Sequence, residues 1–540
     1  MNLKQGLIPW VLVLLSACGS SPDLLANYRS QQVDWQDCKL EQLGDGYSDK
    51  QRLLDDLAGR VKCGNLRVPL DYEHPEAGAA SIGVVRVLAQ AGSASRRGAI
   101  FFSPGGPGFA DPGMPLGFGW LWRTSNAAGG KLKQVQQYYD LLGWSPRGSP
   151  LSTPLECRSD ELEPVFIPAS NDRSAANVAA MLRSASMVAR ACLANPLTRH
   201  IHTDATARDL DLLRHVVGVD KLGFFGLSYA TWLGGWYASL FPQHVGRFVL
   251  VGTTDLTGTF DQMWLNNVAA LQRVFDDVLA PYAARHPQTF DLGADAAQVR
   301  RELTSLPPAL LAAAVYGMEP GFHDADLSNQ SLLILRAAKE MKTWLSAGKT
   351  QNEIDALFGN ASNAWAALGK VLNQIYFERL ASVPKPIQLT PFQSIHYAVQ
   401  CNDVPWNFDA AGWLAATNEQ AQRYSFYGGH FTEFPCTYWG GPVVTKPSLA
   451  NAAQASEGFL ILQSQFDPQT TAEGAMRSLA ALPNASLVLV GNSINHVVMV
   501  PYGSDCIDQT VADYFLDGVR PERLKNCPGK LLPADQPANP

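Results

Sequence analysis

Hydrophobic positions fall in short runs through the first half of this chain and again near its end, with helical periodicity between them. Arg97-Gly-Ala-Ile-Phe-Phe102, Tyr138-Tyr-Asp-Leu-Leu-Gly143, Leu222-Gly-Phe-Phe-Gly-Leu227 and Arg247-Phe-Val-Leu-Val-Gly252 are runs of strand length bounded by turn residues. Continuous apolar runs of this kind suit strands buried on both faces. Val68-Pro-Leu-Asp-Tyr72 and Ile82-Gly-Val-Val-Arg-Val-Leu88 open the series. Helical spacing follows over 175–194 and 203–217, with Thr203 as the expected N-cap of the second helix. Strands alternating with helices predict a parallel α/β sheet. From about 256 to 441 the rhythm changes to long helical patterns, such as 266–282 and 332–345, with no strand series. Strand-like runs return at Glu457-Gly-Phe-Leu-Ile-Leu-Gln463 and Ala485-Ser-Leu-Val-Leu-Val490. The expected organisation is a sheet-bearing core over 35–255 and 442–527, a mainly helical insertion over 256–441, and a loose proline-rich tail over 528–540.

The first residues read as a processing signal. Lys4 precedes an apolar run from Leu7 to Leu15 that is too short to span a membrane. It ends in Leu15-Ser-Ala-Cys18-Gly19. This resembles a bacterial lipoprotein lipobox and implies cleavage before Cys18, lipidation of that cysteine, and a tether over 19–34. Gly19 is not the aspartate associated with inner-membrane retention, which favours the outer membrane. A plain signal peptide with a secreted product is the alternative. No later apolar run reaches ~18 residues, so no transmembrane helix is expected.

Composition fits export. Of 540 residues, 46% are hydrophobic and 17% charged, so the body is globular. The net charge of −7 and the lack of a basic run exclude nucleic-acid binding. Nine cysteines are present. With Cys18 set aside, Cys38, Cys63, Cys157, Cys192, Cys401, Cys436, Cys506 and Cys527 form an even set with no C-x-x-C pair. Disulfides in an oxidising compartment are the simplest account. Sequential pairing is expected because each such pair lies within one substructure, although sequence alone leaves the other connectivities open.

The chemistry centres on Gly226-Leu-Ser-Tyr-Ala230, between an apolar strand and a glycine-containing helix start. A G-x-S-x-[G/A] elbow lifts a serine hydroxyl clear of a sheet, and its small flanking residues let strand and helix pass closely. A serine hydroxyl needs a base, and the base needs an orienting acid. After one late strand comes Ser464-Gln-Phe-Asp467-Pro468; after the next comes Gly491-Asn-Ser-Ile-Asn-His496, whose histidine is the only one beyond Asp467. Ser228, Asp467 and His496 are therefore the candidate nucleophile, orienting acid and base. The loop Ser103-Pro-Gly-Gly-Pro-Gly108 offers backbone N–H groups for an oxyanion, and Gly106 and Tyr229 are the two candidate donors. No G-K-[ST] follows, so a phosphate loop is excluded. The chemistry requires neither a metal nor an organic cofactor.

That glycine loop resembles the H-G-G-P-G loop of prolyl iminopeptidases, and the elbow, Asp467 and His496 complete their pattern. The chain is similar to the secreted tripeptidyl-aminopeptidase branch of that α/β-hydrolase family, through Asp140-Leu-Leu-Gly-Trp-Ser-Pro-Arg-Gly148, Gln400-Cys-Asn-Asp403 and Cys436-Thr-Tyr-Trp439 among other segments. The resemblance implies an α/β-hydrolase fold with a mostly parallel sheet, and an exopeptidase for peptides with a free N-terminus whose helical insertion caps the site. Departures are Ser103-Pro104 in place of histidine, Tyr229 in place of tryptophan, Ala230 in place of glycine, Trp144-Ser-Pro-Arg147 for Asp-Pro-Arg, and Asn495-His496-Val497 for a Gly-His-Gly-like run. An aminopeptidase needs an anion for the substrate ammonium. Asp403 is the leading candidate, with Glu319, Asp324 and Asp326 behind it. Trp406 and Trp413 are candidates for an acyl pocket. A carboxylesterase or lipase using the same triad, or a non-catalytic binding lipoprotein, are the competing readings. Oligomeric state is left open by the sequence.

Overall fold

The computed structural model describes residues 23–536, apart from 45, 47, 48, 58, 91, 93, 94, 169–171, 360–362 and 500–502. Cys18 and the apolar run before it lie outside the described residues. The strand-like runs of the core lie in strands, except that the Val68–Tyr72 run is extended only at Val68 and Pro69, the end of β2. In chain order the strands are β1 (Gln36–Asp37), β2 (Val61–Pro69), β3 (Ala79–Val87), β4 (Gly98–Ser103), β5 (Tyr139–Trp144), β6 (Arg158–Glu163), β7 (Leu222–Leu227), β8 (Val245–Val251), β9 (Lys385–Gln388), β10 (Phe459–Ser464), β11 (Ala485–Gly491) and β12 (Leu524–Pro528). Ten of them form one sheet in the order β1-β2-β3-β5-β4-β7-β8-β10-β11-β12. Pairing from β5 to β12 is parallel throughout. The β1, β2 and β3 edge is antiparallel.

β7 shows why the sheet is buried on both sides. Phe224 packs with Phe248 on one face, while Phe225 meets Phe102, Phe118 and Trp122 on the other. All six rings are buried. Each is worth about 1.5–3 kcal/mol over exposure, so both faces demand a layer of helices.

Three helices position the site: α1 (Thr203–Val216), α2 (Tyr229–Leu240) and α3 (Pro391–Asp403). The N-cap of α1 is His202 and not Thr203. His202 Nδ1 accepts the Ala205 N–H at 3.1 Å. Burial, reinforced by the nearby Arg147 charge, pushes the His202 imidazole down to about 3, so it stays neutral and can accept. Thr203 is thereby free to bond elsewhere.

Between β8 and β10 the described chain is mainly helical. Phe260–Arg273, Pro308–Met318, Ser328–Ser346 and Ala364–Leu380 surround an apolar core containing Val315, Phe322, Leu335 and Met341. One short strand interrupts the helices: β9 pairs antiparallel with β6 in a two-stranded ribbon. The expected loose tail is corrected. Leu532 is buried in the helical core, Asp535 pairs with Arg285 at 2.6 Å and His286 at 2.7 Å, and the Ala534 N–H donates to the Tyr282 hydroxyl at 2.7 Å. Four disulfides close, Cys38–Cys63, Cys157–Cys192, Cys401–Cys436 and Cys506–Cys527, each between neighbouring cysteines in sequence. No helix of the described residues is long and apolar enough to cross a membrane.

Candidate active site

Ser228 occupies the one-residue gap between β7 and α2, with φ 54° and ψ −125°. A non-glycine residue with positive φ is strained, and such strain persists only where neighbours fix it. Here the Ser228 N–H donates to Val251 O at 2.9 Å, and Ser228 O accepts from Thr231 N at 2.8 Å and Thr231 Oγ1 at 2.7 Å. The turn leaves no room: a Cβ on Gly226 would stand 2.5 Å from Phe224 Cε1 and 3.0 Å from Ala230 O.

Asp467 follows β10 and is fully buried. Its Oδ1 accepts the Gln469 and Thr470 N–H groups at 2.9 and 3.1 Å, which closes the turn around Pro468. Its Oδ2 accepts from Thr470 Oγ1 at 2.7 Å and from His496 Nδ1 at 2.8 Å. The carboxylate thus fixes the imidazole with Nδ1 protonated and Nε2 free as a base. His496 Nε2 is buried and, among the described residues, has no hydrogen-bond partner. Sequence reasoning missed Gly252, at the end of the β8 run. A Cβ there would lie 2.9 Å from His496 Cε1 and Nδ1. Val251 O holds the Ser228 backbone, and the next residue, Gly252, lies against the His496 ring.

The loop after β4 lies against the elbow. A Cβ on Gly105 would meet Leu227 O at 2.5 Å and Ser228 Cβ at 3.0 Å. Gly106 has φ 107°. Tyr229 is the first residue of α2, so its N–H has no intrahelical acceptor. Phe392 closes over this loop and packs on Phe109 at 4.7 Å and His396 at 5.3 Å between ring centroids. Trp413 is fully buried and donates to Phe431 O, while Trp406 stacks on Phe434 at 4.8 Å. Both belong to aromatic packing in the insertion.

The expected ammonium anchor fails on geometry. Asp403 is fully buried, and protein donors fill it: Thr203 N at 2.7 Å on Oδ1, and Thr203 Oγ1 at 2.5 Å and Trp232 Nε1 at 3.1 Å on Oδ2. No substrate cation reaches it. Asp324 caps its own turn and Asp326 pairs with Lys530. Glu319, by contrast, sits next to the triad. It bonds His323 Nε2 at 3.2 Å and Gln469 Nε2 at 3.4 Å, and His323 O accepts the His496 N–H at 2.9 Å. Burial opposes a charge on His323, but the Glu319 hydrogen bond and the Glu319, Asp467 and Asp324 charges outweigh it and raise its pKa.

A second acid, Glu433, escaped sequence reasoning. Burial, followed by the Glu163 charge, raises its carboxyl against the Arg173 charge and its own backbone N–H, and Oε2 has no partner among the described residues. Burial first, and then the Glu319 and Glu433 charges, raise the Tyr427 phenol against the Arg379 charge.

A strained serine at a strand–helix elbow, a histidine–aspartate pair after later strands and a glycine loop beside them make this an α/β hydrolase of the serine class. The family relationship agrees. A sequence profile described as alpha/beta hydrolase fold matches residues 98–320, and one described as TAP-like protein matches residues 424–527. The chain is similar to both over these segments. It is 26% identical to a tripeptidyl aminopeptidase of Streptomyces lividans over 93% of this chain and 87% of that one. A Mycobacterium tuberculosis protein named carboxylesterase B is 29% identical over 86% of each chain. The serine protease Hip1 of the same species is 25% identical over 87% of this chain and 88% of its own.

Proposed function

We propose that this protein is an exported serine aminopeptidase that cleaves short peptides from free N-termini through an acyl-enzyme. The observation that carries the reading is the buried Asp467–His496 pair with its free Nε2, seated beside the strained Ser228. In this reading Ser228 Oγ attacks the scissile carbonyl carbon while His496 Nε2 takes the hydroxyl proton. The Gly106 and Tyr229 N–H groups bind the oxyanion, and loss of either donor costs ~2.7–4 kcal/mol of barrier. His496 returns the proton to the departing amine, and water repeats the sequence to release the acid. Asp467 stays ionised and holds the ring.

Glu319 and Glu433 are the acids we assign to the substrate ammonium in place of Asp403. Removal of a charged amine from water requires such a partner. The tripeptidyl aminopeptidase relative supports peptide substrates. The lipobox-like Cys18 and the disulfides support export with lipid anchoring. A carboxylesterase is the second reading, favoured by the relative of that name, because both chemistries share the acyl-enzyme.

The test compares kcat/KM for one chromogenic tripeptide amide, free or acetylated at its N-terminus, with that for a short-chain p-nitrophenyl ester, using protein that lacks residues 1–18. The proposal predicts at least ~10-fold preference for the free amine, equivalent to about 1.4 kcal/mol from the ammonium contact. Ester turnover with neither amide cleaved contradicts it and leaves the esterase reading.

A further inference from the structure

Asp403 is too well enclosed to meet substrate, yet it is not idle. It is the last residue of α3, and its bonds go to the starts of two core helices. Oδ1 takes the Thr203 N–H that opens α1; Oδ2 takes the Thr203 hydroxyl and the Trp232 indole N–H. Thr203 Oγ1 also lies 2.5 Å from the Tyr229 hydroxyl. Tyr229 and Trp232 both stand in the first turn of α2, directly after Ser228. One carboxylate therefore grips that turn at two points, once directly and once through Thr203.

We propose that Asp403 is a positioning residue for the oxyanion hole: through Thr203 it holds the Tyr229 side chain, and so fixes the helix start that presents the Tyr229 N–H beside Ser228. This rests on the reading of Ser228 as nucleophile. Proton counting gives the chain a direction. The Thr203 hydroxyl has one proton, and an ionised Asp403 takes it, so the Tyr229 O–H must donate to Thr203 Oγ1. A protonated Asp403 reverses the chain. Its Oδ2–H then donates to Thr203, the Thr203 proton turns to the Tyr229 oxygen, and the phenol no longer donates.

The reversal belongs near neutral pH. Burial lifts the Asp403 carboxyl to about 7, against its Thr203 and Trp232 hydrogen bonds and with help from the Asp204 charge. The cation facing this cluster is Lys446, whose Nζ lies 3.7 Å over the Trp232 ring. Burial pushes that ammonium down to about 8.

The experiment measures kcat and KM on the tripeptide amide for wild type, Asp403→Asn, Tyr229→Phe and the double variant, from about pH 5.5 to about pH 8.5. Asn at 403 keeps the shape and one acceptor but cannot take the Thr203 proton in the same way. Asp403→Asn should lower kcat on the order of tenfold at the alkaline end with KM unchanged, well short of the ~10²–10³-fold cost of a deleted donor. The wild-type to Asp403→Asn ratio should approach one at the acid end, since the wild type then carries the neutral group as well. Tyr229→Phe should show a similar loss in kcat, and the double variant should fall no further than the worse single. A ratio that is the same at every pH, a loss confined to KM, or additive losses would overturn the proposal. If Asp403→Asn does not fold, full kcat in Tyr229→Phe overturns it alone. The two readings fail separately. Activity retained in Ser228→Ala removes the nucleophile assignment itself. An inactive Ser228→Ala beside unimpaired Asp403→Asn and Tyr229→Phe removes only the positioning role.

Discussion

Single residues do four different jobs at this site, and burial sorts the acids among them. Ser228 keeps a positive φ because hydrogen bonds from its N–H and to its carbonyl hold the backbone against that strain. Asp467 is buried but ends on a histidine nitrogen, so its charge is used. Asp403 is equally buried but ends on a threonine and a tryptophan, so its charge organises helices. Glu433 differs from both, with a buried carboxylate oxygen that has no partner among the described residues. A buried acceptor left unsatisfied costs about 1–3 kcal/mol, and a substrate ammonium would repay it. Glu433→Gln and Glu319→Gln should therefore raise KM for a free-amine peptide at least ~10-fold while leaving that for its acetylated counterpart within about twofold. Equal effects on both substrates would remove the ammonium role. Sequence made Ser228, Asp467 and His496 legible because each follows a strand-like run in hydrolase order. It could not do the same for Asp403, whose donors lie 200 and 171 residues away in the chain. Burial is a property of the fold, and no local pattern announces it.

Elements read well wherever apolar periodicity was strong. The parallel strands β4, β5, β7, β8, β10 and β11 and the helical character of the insertion follow from such runs. The β6–β9 ribbon was hidden because Arg158-Ser-Asp-Glu-Leu-Glu163 carries four charges, and only its distant partner makes it a strand. The tail misled in the opposite sense. Its prolines suggest a loose end, but Leu532 finds the helical core and Asp535 finds Arg285 and His286. This segment ties the last strand of the sheet to the insertion. Leu532→Ala should cost about 2–3 kcal/mol, seen as a lower Tm and faster limited proteolysis within 256–441. Unchanged melting and cleavage would show that the tail does not brace the insertion.

Sheet and insertion meet at His496, the proposed base. His323 O, from the insertion, holds the His496 N–H, and Glu319 contacts Gln469 beside Asp467. The Cys401–Cys436 disulfide joins the end of α3 to the segment that bears Glu433. These contacts tie the position of His496 to the insertion, so any shift of the insertion would disturb the proposed base. Ser228 is the group on which each of these proposed roles acts. The most direct measurement treats the protein with a fluorophosphonate and maps the label by peptide mass spectrometry, with Ser228→Ala and His496→Ala alongside. The account predicts one label per chain, on Ser228, absent from Ser228→Ala and strongly slowed in His496→Ala, with peptidase activity lost in proportion to labelling. Labelling at another serine, or full activity after Ser228 is modified, would contradict it.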